Sequence, residues 1–250
     1  MIEHALARAA EAIRGARAIT VLTGAGVSAA SGVPTFRGED GLWKKLRAET
    51  LATPEAFAND PRLVWEWYDW RRGMIRDARP NPAHDVLARW TRERGATLIT
   101  QNVDGLHERA GAERLIRLHG SIWHVRCWQH CPDGAADWLD DTVPLATLPP
   151  RCPHCGALVR PGVVWFGEPL DPAVLDRARA VAAASDVFLT VGTSAVVYPA
   201  AGLIPEAKRA GATIIEINPD ATSASGTADV VIRQPAADAL AALNDLLCSA

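Results

Sequence analysis

Apolar positions along the chain repeat with two different spacings. Short apolar runs, which are typical of buried strands, occur at Ala18–Leu22, Thr97–Thr100, Leu115–Leu118, Val187–Val191, Thr213–Ile217 and Val230–Ile232. Tracts with helical spacing lie at residues 81–94, 171–184, 199–210 and 236–248, and the first residues of the chain predict an opening amphipathic helix. Strands that alternate with helices predict an α/β fold, with a parallel sheet covered by helices on both faces.

The tract at residues 61–75 predicts another helix, and one face of it combines apolar residues with an arginine. The residues that recur at helical spacing on this face are Val64, Tyr68, Arg71 and Ile75. Arg72 has Asp69 three residues before it, whereas Arg71 has no acidic residue at these spacings. We therefore expect Arg72 to pair with Asp69 at the surface, and Arg71 either to extend along its stem to water or to find a carboxylate outside its own helix.

Two segments interrupt the alternation of strands and helices. One is a Trp-rich helical stretch at residues 39–77, and the other is a segment with four cysteines at residues 123–160. We expect the two to pack together as a small lobe. Residues 1–38, 78–122 and 161–250 are then expected to form the large lobe of a single domain that spans 1–250.

Composition limits the classes of partner. The net charge of −3 provides no basic surface of the kind that nucleic acid requires, so no direct nucleic-acid ligand is expected. No apolar run is long enough to span a bilayer, and no cleavable leader is recognisable at the N-terminus. We expect a cytoplasmic protein without a membrane partner.

Four of the five cysteines form two closely spaced pairs. Cys127 and Cys131 make the first pair, and Cys152 and Cys155 make the second. This pattern is typical of one structural Zn²⁺ held by four thiolates. Two disulfides are the alternative, but an intracellular chain of this size has little use for them. Cys248, in the final predicted helix, is expected to be a small packing residue.

Glycine and polar residues follow the predicted strands. Gly24 and Gly26 follow the first strand, where small residues let backbone N–H groups approach a pyrophosphate, although an ordinary tight turn fits the same residues. Polar side chains lie at or next to the ends of later strands, namely Gln101, Asn102, Asp104, His119, Thr193, Ser194 and Asn218. The carboxyl ends of parallel strands are where open α/β sheets bind ligands. His119 is a candidate general base there, or else a hydrogen-bonded structural histidine.

Six motifs, in this order and over nearly the whole chain, resemble those of the sirtuin family. They are GAGVSAASGVPTFRG, TQNVDGLH, LHGS, the two cysteine pairs, VVWFGE and GTSAVVYPA. The resemblance implies an NAD-dependent protein-lysine deacylase. It also implies a Rossmann-like large lobe and a small lobe made of a helical insertion and a zinc module.

The resemblance assigns roles to residues of this chain. The residues implied to hold NAD are Gly24, Ala25, Gly26, Ser28, Phe36, Arg37, Gln101, Asn102, Asp104, Gly192, Thr193, Ser194, Asn218 and Ala228. Gln101 and Asn102 would contact the nicotinamide ribose, Asp104 would position the carboxamide, and the last five residues would line the adenosine end. The acylated peptide would add as a strand beside the loop at 196–198 and beside Val163, Val164, Trp165, Phe166, Gly167 and Glu168.

The mechanism implied by the resemblance makes His119 and Asn102 the catalytic residues. The acyl-lysine oxygen attacks C1′ of the nicotinamide ribose and nicotinamide leaves. His119 then acts as general base on the ribose hydroxyls, so that the 2′-oxygen attacks the resulting alkylimidate. The implied products are free lysine, nicotinamide and O-acyl-ADP-ribose, and zinc would stabilise the small lobe away from the reacting atoms.

The predicted helix at residues 61–75 indicates which acyl group the protein removes. Its Tyr68 and Arg71 are similar to the Tyr-x-x-Arg pair of the class III branch, which binds the carboxylate of a succinyl or malonyl group. Ala52 matches a position where that branch leaves room for a longer chain. We expect removal of succinyl or malonyl groups, and also of acetyl groups. The alternatives are a plain deacetylase, a mono-ADP-ribosyltransferase, and a non-catalytic NAD or ADP-ribose sensor.

Overall fold

The computed structural model describes residues 2–35, 42–43, 46–134 and 136–249. Phe36 and Arg37, which the sequence predicts to contact NAD, lie outside the described residues. The strands are β1 (Ile19–Thr23), β2 (Leu42–Trp43), β3 (Leu46–Arg47), β4 (Thr97–Thr100), β5 (Leu115–Arg117), β6 (Gly120–Cys127), β7 (Trp138–Leu139), β8 (Val159–Val163), β9 (Val187–Val191), β10 (Thr213–Ile217) and β11 (Val230–Ile232). The helices are α1 (Ile2–Gly15), α2 (Ala48–Leu51), α3 (Pro54–Asn59), α4 (Pro61–Asp77), α5 (Pro82–Glu93), α6 (Leu106–Arg109), α7 (Pro172–Ala183), α8 (Leu203–Arg209) and α9 (Ala236–Cys248).

Six parallel strands form the main sheet, in the order β11-β10-β9-β1-β4-β5. The chain adds β4 and β5 on one side of β1 and then returns to add β9, β10 and β11 on the other. The strand order therefore reverses between β1 and β9, where α/β sheets open a crevice for a ligand. The predicted α/β class with a parallel sheet is confirmed.

Apolar side chains cover both faces of this sheet. One cluster joins the sheet to α1, α5 and α9, and a second joins it to α7 and α8. The strands are buried along almost their whole length, which explains their continuous apolar runs. Four predicted strands have the predicted bounds, whereas β1 is displaced by one residue and the strand predicted at 115–118 ends at Arg117.

A third apolar cluster joins α2, α3 and α4 to the antiparallel sheet β7-β6-β8. Its largest side chains are aromatic and include Phe57, Trp65 and Trp165. The two segments that interrupt the alternation of strands and helices therefore contact each other. The lobe boundaries at 38, 78, 122 and 161 stay a prediction.

Two predictions about single residues are wrong. Arg72 does not lie at the surface: its side chain is 0% exposed, its Nε donates to the carbonyl oxygen of Ile122, and Asp69 instead accepts from the backbone N–H of Leu145. Cys248 is exposed at the end of α9 and does not pack in the core. Among the described helices, none has the length and apolar character needed to cross a membrane.

Candidate active site

A cavity of about 1080 Å³ opens at the carboxyl edge of the main sheet and extends toward α4 and β8. Nineteen of the predicted site residues line it: Gly24, Ala25, Gly26, Ala52, Tyr68, Arg71, Gln101, Asn102, His119, Val163, Val164, Trp165, Phe166, Gly167, Glu168, Gly192, Thr193, Ser194 and Asn218. Residues 196–198 and 219–223 are among the other residues that line it. One continuous cavity thus joins the strand-end residues to the Tyr68 and Arg71 pair.

Glycines let the loop after β1 pack directly on the loop after β9. The backbone N–H of Gly26 donates to the carbonyl oxygen of Gly192 over 2.8 Å. A Cβ on Gly24 would lie 2.7 Å from Cβ of Thr193, and a Cβ on Gly192, whose φ is +59°, would lie 2.5 Å from the backbone nitrogen of Val27. Side chains at these positions would separate the two loops at the strand-order reversal, where a dinucleotide binds in this class of fold.

A buried hydrogen-bond chain orients Asn102. Its Nδ2 group faces the carbonyl oxygen of Gly24 at 3.1 Å and Oγ of Ser28 at 3.4 Å. Ser28 in turn donates to Oδ2 of Asp104 over 2.8 Å. Because both amide protons of Asn102 are directed at these groups, its Oδ1 is left as the acceptor for a ligand in the cavity. Ser28 and Asp104 therefore lie behind the cavity wall.

One histidine that sequence reasoning missed joins this hydrogen-bond chain, and a second packs against the first. Nδ1 of His84 accepts from the backbone N–H of Asn81, so the ring carries its proton on Nε2, which lies 3.4 Å from Oγ of Ser28. His107 contacts Oγ1 of Thr23 through Nε2 at 3.1 Å, and the two imidazole rings are 4.9 Å apart. Burial lowers the pKa of His84 and lowers the pKa of His107 to about 3, so both rings are neutral at neutral pH. The capping pattern of Asn81 followed by His84 was the sequence signal for the first of them.

His119 is oriented as a base. Its Nδ1 lies 3.0 Å from the carbonyl oxygen of Gln101, and since a carbonyl only accepts, Nδ1 carries the proton. Nε2 is therefore the unprotonated nitrogen. Burial lowers the pKa of His119, which keeps this nitrogen free at neutral pH, although the bond to Gln101 partly opposes the shift. The next position, 120, requires glycine, because a Cβ there would lie 2.2 Å from the carbonyl oxygen of Gly162.

Tyr68 and Arg71 lie side by side on α4 and both line the cavity. Trp165 Nε1 donates to Oη of Tyr68 over 2.9 Å, and burial raises the pKa of Tyr68 to about 12. Cζ of Arg71 lies 5.0 Å from the ring centroid of Trp67, and burial lowers the pKa of Arg71 while Tyr68 and Asp104 partly offset the shift. Ala52 lies on the same wall, and its carbonyl oxygen accepts from the backbone N–H of Phe166 over 2.9 Å.

An ion pair between a buried arginine and a partly exposed glutamate holds the segment after β8. Both terminal nitrogens of Arg160 contact the carboxylate of Glu168, at 2.5 and 2.9 Å. This carboxylate also accepts from the backbone N–H of Trp165 over 2.8 Å, and the interactions with Arg160 contribute to a lowered pKa for Glu168. Arg160 therefore fixes residues 165–168, which the sequence predicts to lie beside the peptide.

The opposite end of the cavity is shaped by Glu216, which sequence reasoning also missed. Its carboxylate accepts from Oγ of Ser225 and from Nη1 of Arg233, both at 2.7 Å. These bonds hold the loop after β10, whose Asn218 donates to the carbonyl oxygen of Thr193 over 3.1 Å. Ala228, predicted to line this end, packs against the second apolar cluster of the sheet and does not line the cavity.

The four paired cysteines converge at one point between β6 and β8. All four Sγ atoms lie within 4.8 Å of one another, with 3.6 Å between Cys127 and Cys155 and 3.8 Å between Cys131 and Cys152. Tetrahedral zinc with thiolate bonds of about 2.3 Å places its sulfur ligands ~3.8 Å apart, so the cluster fits this ion. Backbone N–H groups of Cys131 and Gln129 lower the pKa of Cys127 to about 7, which favours the thiolate that a metal needs.

Known proteins are similar over nearly the whole chain. The model of the Sir2 family matches residues 24–199. The NAD-dependent protein deacylase of Aquifex aeolicus (strain VF5) is 51% identical over 230 residues, which cover 92% of this chain and 95% of the relative. The NAD-dependent protein deacylase of Aeropyrum pernix is 48% identical over 238 residues, which cover 94% of each chain.

Solved structures share the arrangement. The crystal structure of a Sir2 homologue in complex with NAD superposes with a TM-score of 0.92 at 47% identity, over 97% of this chain and 94% of that one. A complex of Sir2 with a p53 peptide and NAD⁺ superposes with a TM-score of 0.87 at 26% identity, over 97% of this chain and 98% of that one.

Proposed function

The chain belongs to the Sir2 family, and from this premise we propose that it is an NAD-dependent protein-lysine deacylase that prefers acyl groups ending in a carboxylate. Succinyl and malonyl groups are the preferred substrates, and acetyl groups are removed as well. The observation that carries the preference is the position of Tyr68 and Arg71, which line the same cavity as His119.

The cavity fits NAD at its sheet end. Gly24, Gly26 and Gly192 leave no room for side chains where the two loops meet, and the relative that binds NAD has the same fold. When bound, NAD would supply the electrophilic ribose carbon, and its ADP-ribose part would receive the acyl group after nicotinamide has left. In this proposal Thr193 and Asn218 contact the adenosine part of NAD, and Gln101 and Asn102 contact the nicotinamide ribose.

His119 and Asn102 act on the ribose hydroxyls. His119 presents a free Nε2, which takes a proton from a hydroxyl so that the oxygen becomes a nucleophile. Asn102 presents Oδ1 as a hydrogen-bond acceptor, and the bonds of its amide group to Gly24 and Ser28 hold this oxygen in place. Both residues line the same cavity.

The acyl end is selected by charge. Arg71 is a half-buried guanidinium next to a phenol, and burial in this pocket disfavours its charge. A carboxylate at the end of the acyl chain stabilises that charge, whereas the methyl group of an acetyl chain provides no negative charge to pair with it. The small side chain of Ala52 leaves space for the longer chain.

Zinc has a structural role in this proposal. The four thiolates use all the coordination positions of a tetrahedral ion, so no position is open for substrate. The ion holds β6 and β8 together, and β8 leads directly into residues 165–168. The acylated peptide binds beside residues 165–168, which form hydrogen bonds with its backbone.

The test compares kcat/KM on acetyl-lysine and succinyl-lysine peptides of one sequence at saturating NAD. We expect the wild type to prefer the succinyl peptide, and Arg71→Met to lower succinyl turnover by about 10- to 100-fold more than acetyl turnover, because a hydrogen-bonded charge partner is lost. Arg62→Met is the matched control, since Arg62 lies on the same helix but is exposed and pairs with Glu66.

Each other outcome identifies a different activity. Succinyl turnover that survives Arg71→Met indicates a plain deacetylase. If NAD binds but releases no nicotinamide in the presence of either peptide, the protein is a sensor. Nicotinamide release that persists in His119→Ala with ADP-ribose attached to protein indicates a transferase.

A further inference from the structure

The hydroxyl group of Tyr68 is held from one side by Trp165. The indole Nε1 donates to Oη over 2.9 Å, and both side chains are buried and line the cavity. An indole N–H can only donate, so the phenol must use a lone pair in this bond. The phenolic proton is therefore directed to a different acceptor.

The indole ring is itself fixed in place. Cζ of Arg160 lies 3.5 Å from its ring centroid, and the ring of Phe57 packs against it with centroids 5.3 Å apart. The backbone N–H of Trp165 donates to the carboxylate of Glu168, which is paired with Arg160. Contacts with a cation and with an aromatic neighbour restrict the rotation of the indole ring, so its N–H is held as a donor toward Tyr68.

We propose that Trp165 is a specificity-determining residue of the acyl site, because its N–H turns the phenolic proton of Tyr68 toward the carboxylate of an acidic acyl chain. This inference rests on the proposed function. A hydroxyl group that accepts one hydrogen bond becomes a stronger donor in the next, so the indole both directs and strengthens the bond from Tyr68. Trp165 acts through Tyr68 and is a positioning residue.

Burial supports this direction of donation. The pKa of Tyr68 is raised to about 12, so its proton is present throughout the neutral range. A neutral phenol and the Arg71 guanidinium together offer a carboxylate donors from two neighbouring side chains. Without the indole, the hydroxyl would rotate, and its proton would spend less time directed at the acyl chain.

The test is a double-mutant cycle read as the ratio of succinyl to acetyl kcat/KM. Trp165→Phe keeps an aromatic ring and removes the N–H, and we expect it to lower the ratio by about three- to tenfold, the value of one neutral hydrogen bond. Tyr68→Phe should lower the ratio at least as much. The double variant should equal Tyr68→Phe, because the indole has no effect once the hydroxyl is gone.

A second replacement is the control for any loss of packing in Trp165→Phe. Site-specific incorporation of 3-benzothienylalanine at position 165 keeps the shape of the bicyclic ring but lacks the N–H, and it should lower the ratio in the same way. The proposal would be overturned if kcat/KM fell equally for both peptides, or if the ratio in the double variant were lower than in Tyr68→Phe. If Arg71→Met and Tyr68→Phe lower the ratio while both replacements at 165 leave it unchanged, only this inference fails. If none of them lowers it, the proposed acyl preference fails.

Discussion

Arg72 and Ile122 are joined by a hydrogen bond that ties the middle of α4 to β6, in which Nε donates to the carbonyl oxygen over 2.9 Å. The guanidinium is fully buried, lies 5.3 Å from the ring centroid of Trp65, and approaches the carboxylate of Asp140 to 3.8 Å. Asp140 raises the pKa of Arg72 against a larger lowering by burial. The neighbouring arginine, Arg71, lines the cavity instead.

The two arginines should therefore differ in what they contribute to stability. Arg72→Ala leaves the Ile122 carbonyl without its donor and opens a cavity, so we expect the free energy of unfolding to fall by about 2–4 kcal/mol. Arg71→Ala removes a half-buried side chain from the cavity wall, where no packed core is opened, and a change below ~1 kcal/mol is expected. Urea titration of both variants measures the difference, and a larger loss in Arg71→Ala would contradict this assignment.

The main sheet was predictable because its strands are buried on both faces. Such strands read as continuous apolar runs, as in Val187–Val191, and the run itself marks the strand. The cysteine cluster was predictable for a different reason, since local spacing within each pair constrains the ligands of one ion. The position of the cavity follows from the ends of those strands.

The partners of Arg72 could not be predicted, because they lie far away in sequence. Helical spacing offered Asp69 as its partner, yet tertiary packing supplies Ile122 instead, and Asp69 bonds Leu145. The chain from His84 through Ser28 to Asp104 is also formed by segments distant in sequence. Local patterns identify the site residues, whereas long-range contacts orient them.

Acid should destabilise the fold through His107. Its pKa is about 3 in the folded chain, against ~6.5 for an unperturbed histidine, so the unfolded chain binds the extra proton below pH ~6.5. The stability that the neutral ring contributes is complete above that pH and is lost as the pH falls toward 3. Nδ1 of His107 is buried and has no hydrogen-bond partner among the described residues, so a proton on this nitrogen would find no acceptor to stabilise it.

The variant His107→Gln isolates this effect. Between pH 7 and pH 5 the wild type should lose about 2 kcal/mol more unfolding free energy than the variant, because only the wild type has this proton linkage. Urea titrations across that range measure both slopes. Parallel slopes would show that His107 is protonated equally in the folded and unfolded chains.

Removal of the metal should unfold the small antiparallel sheet. A zinc ion held by the thiolates of Cys127 and Cys155 would link the end of β6 to the segment before β8. A purified chain should contain one zinc ion, and Cys155→Ser should lower this content and the melting temperature. Cys248→Ser is the matched control, since Cys248 is also exposed but lies outside the cluster. Full zinc content in Cys155→Ser would contradict a four-thiolate site.

The pH dependence of turnover tests the role of His119. Since burial lowers its pKa, the acid limb of kcat/KM should lie below pH ~6.5, and the rate should be level from there through pH 8. Turnover should fall by about 10²- to 10⁴-fold in His119→Ala, while NAD binding measured by calorimetry should persist, because the loops of Gly24 and Gly192 are untouched. An acid limb centred above pH 7 would show that another group is the base, since a histidine whose pKa is lowered by burial is already unprotonated there.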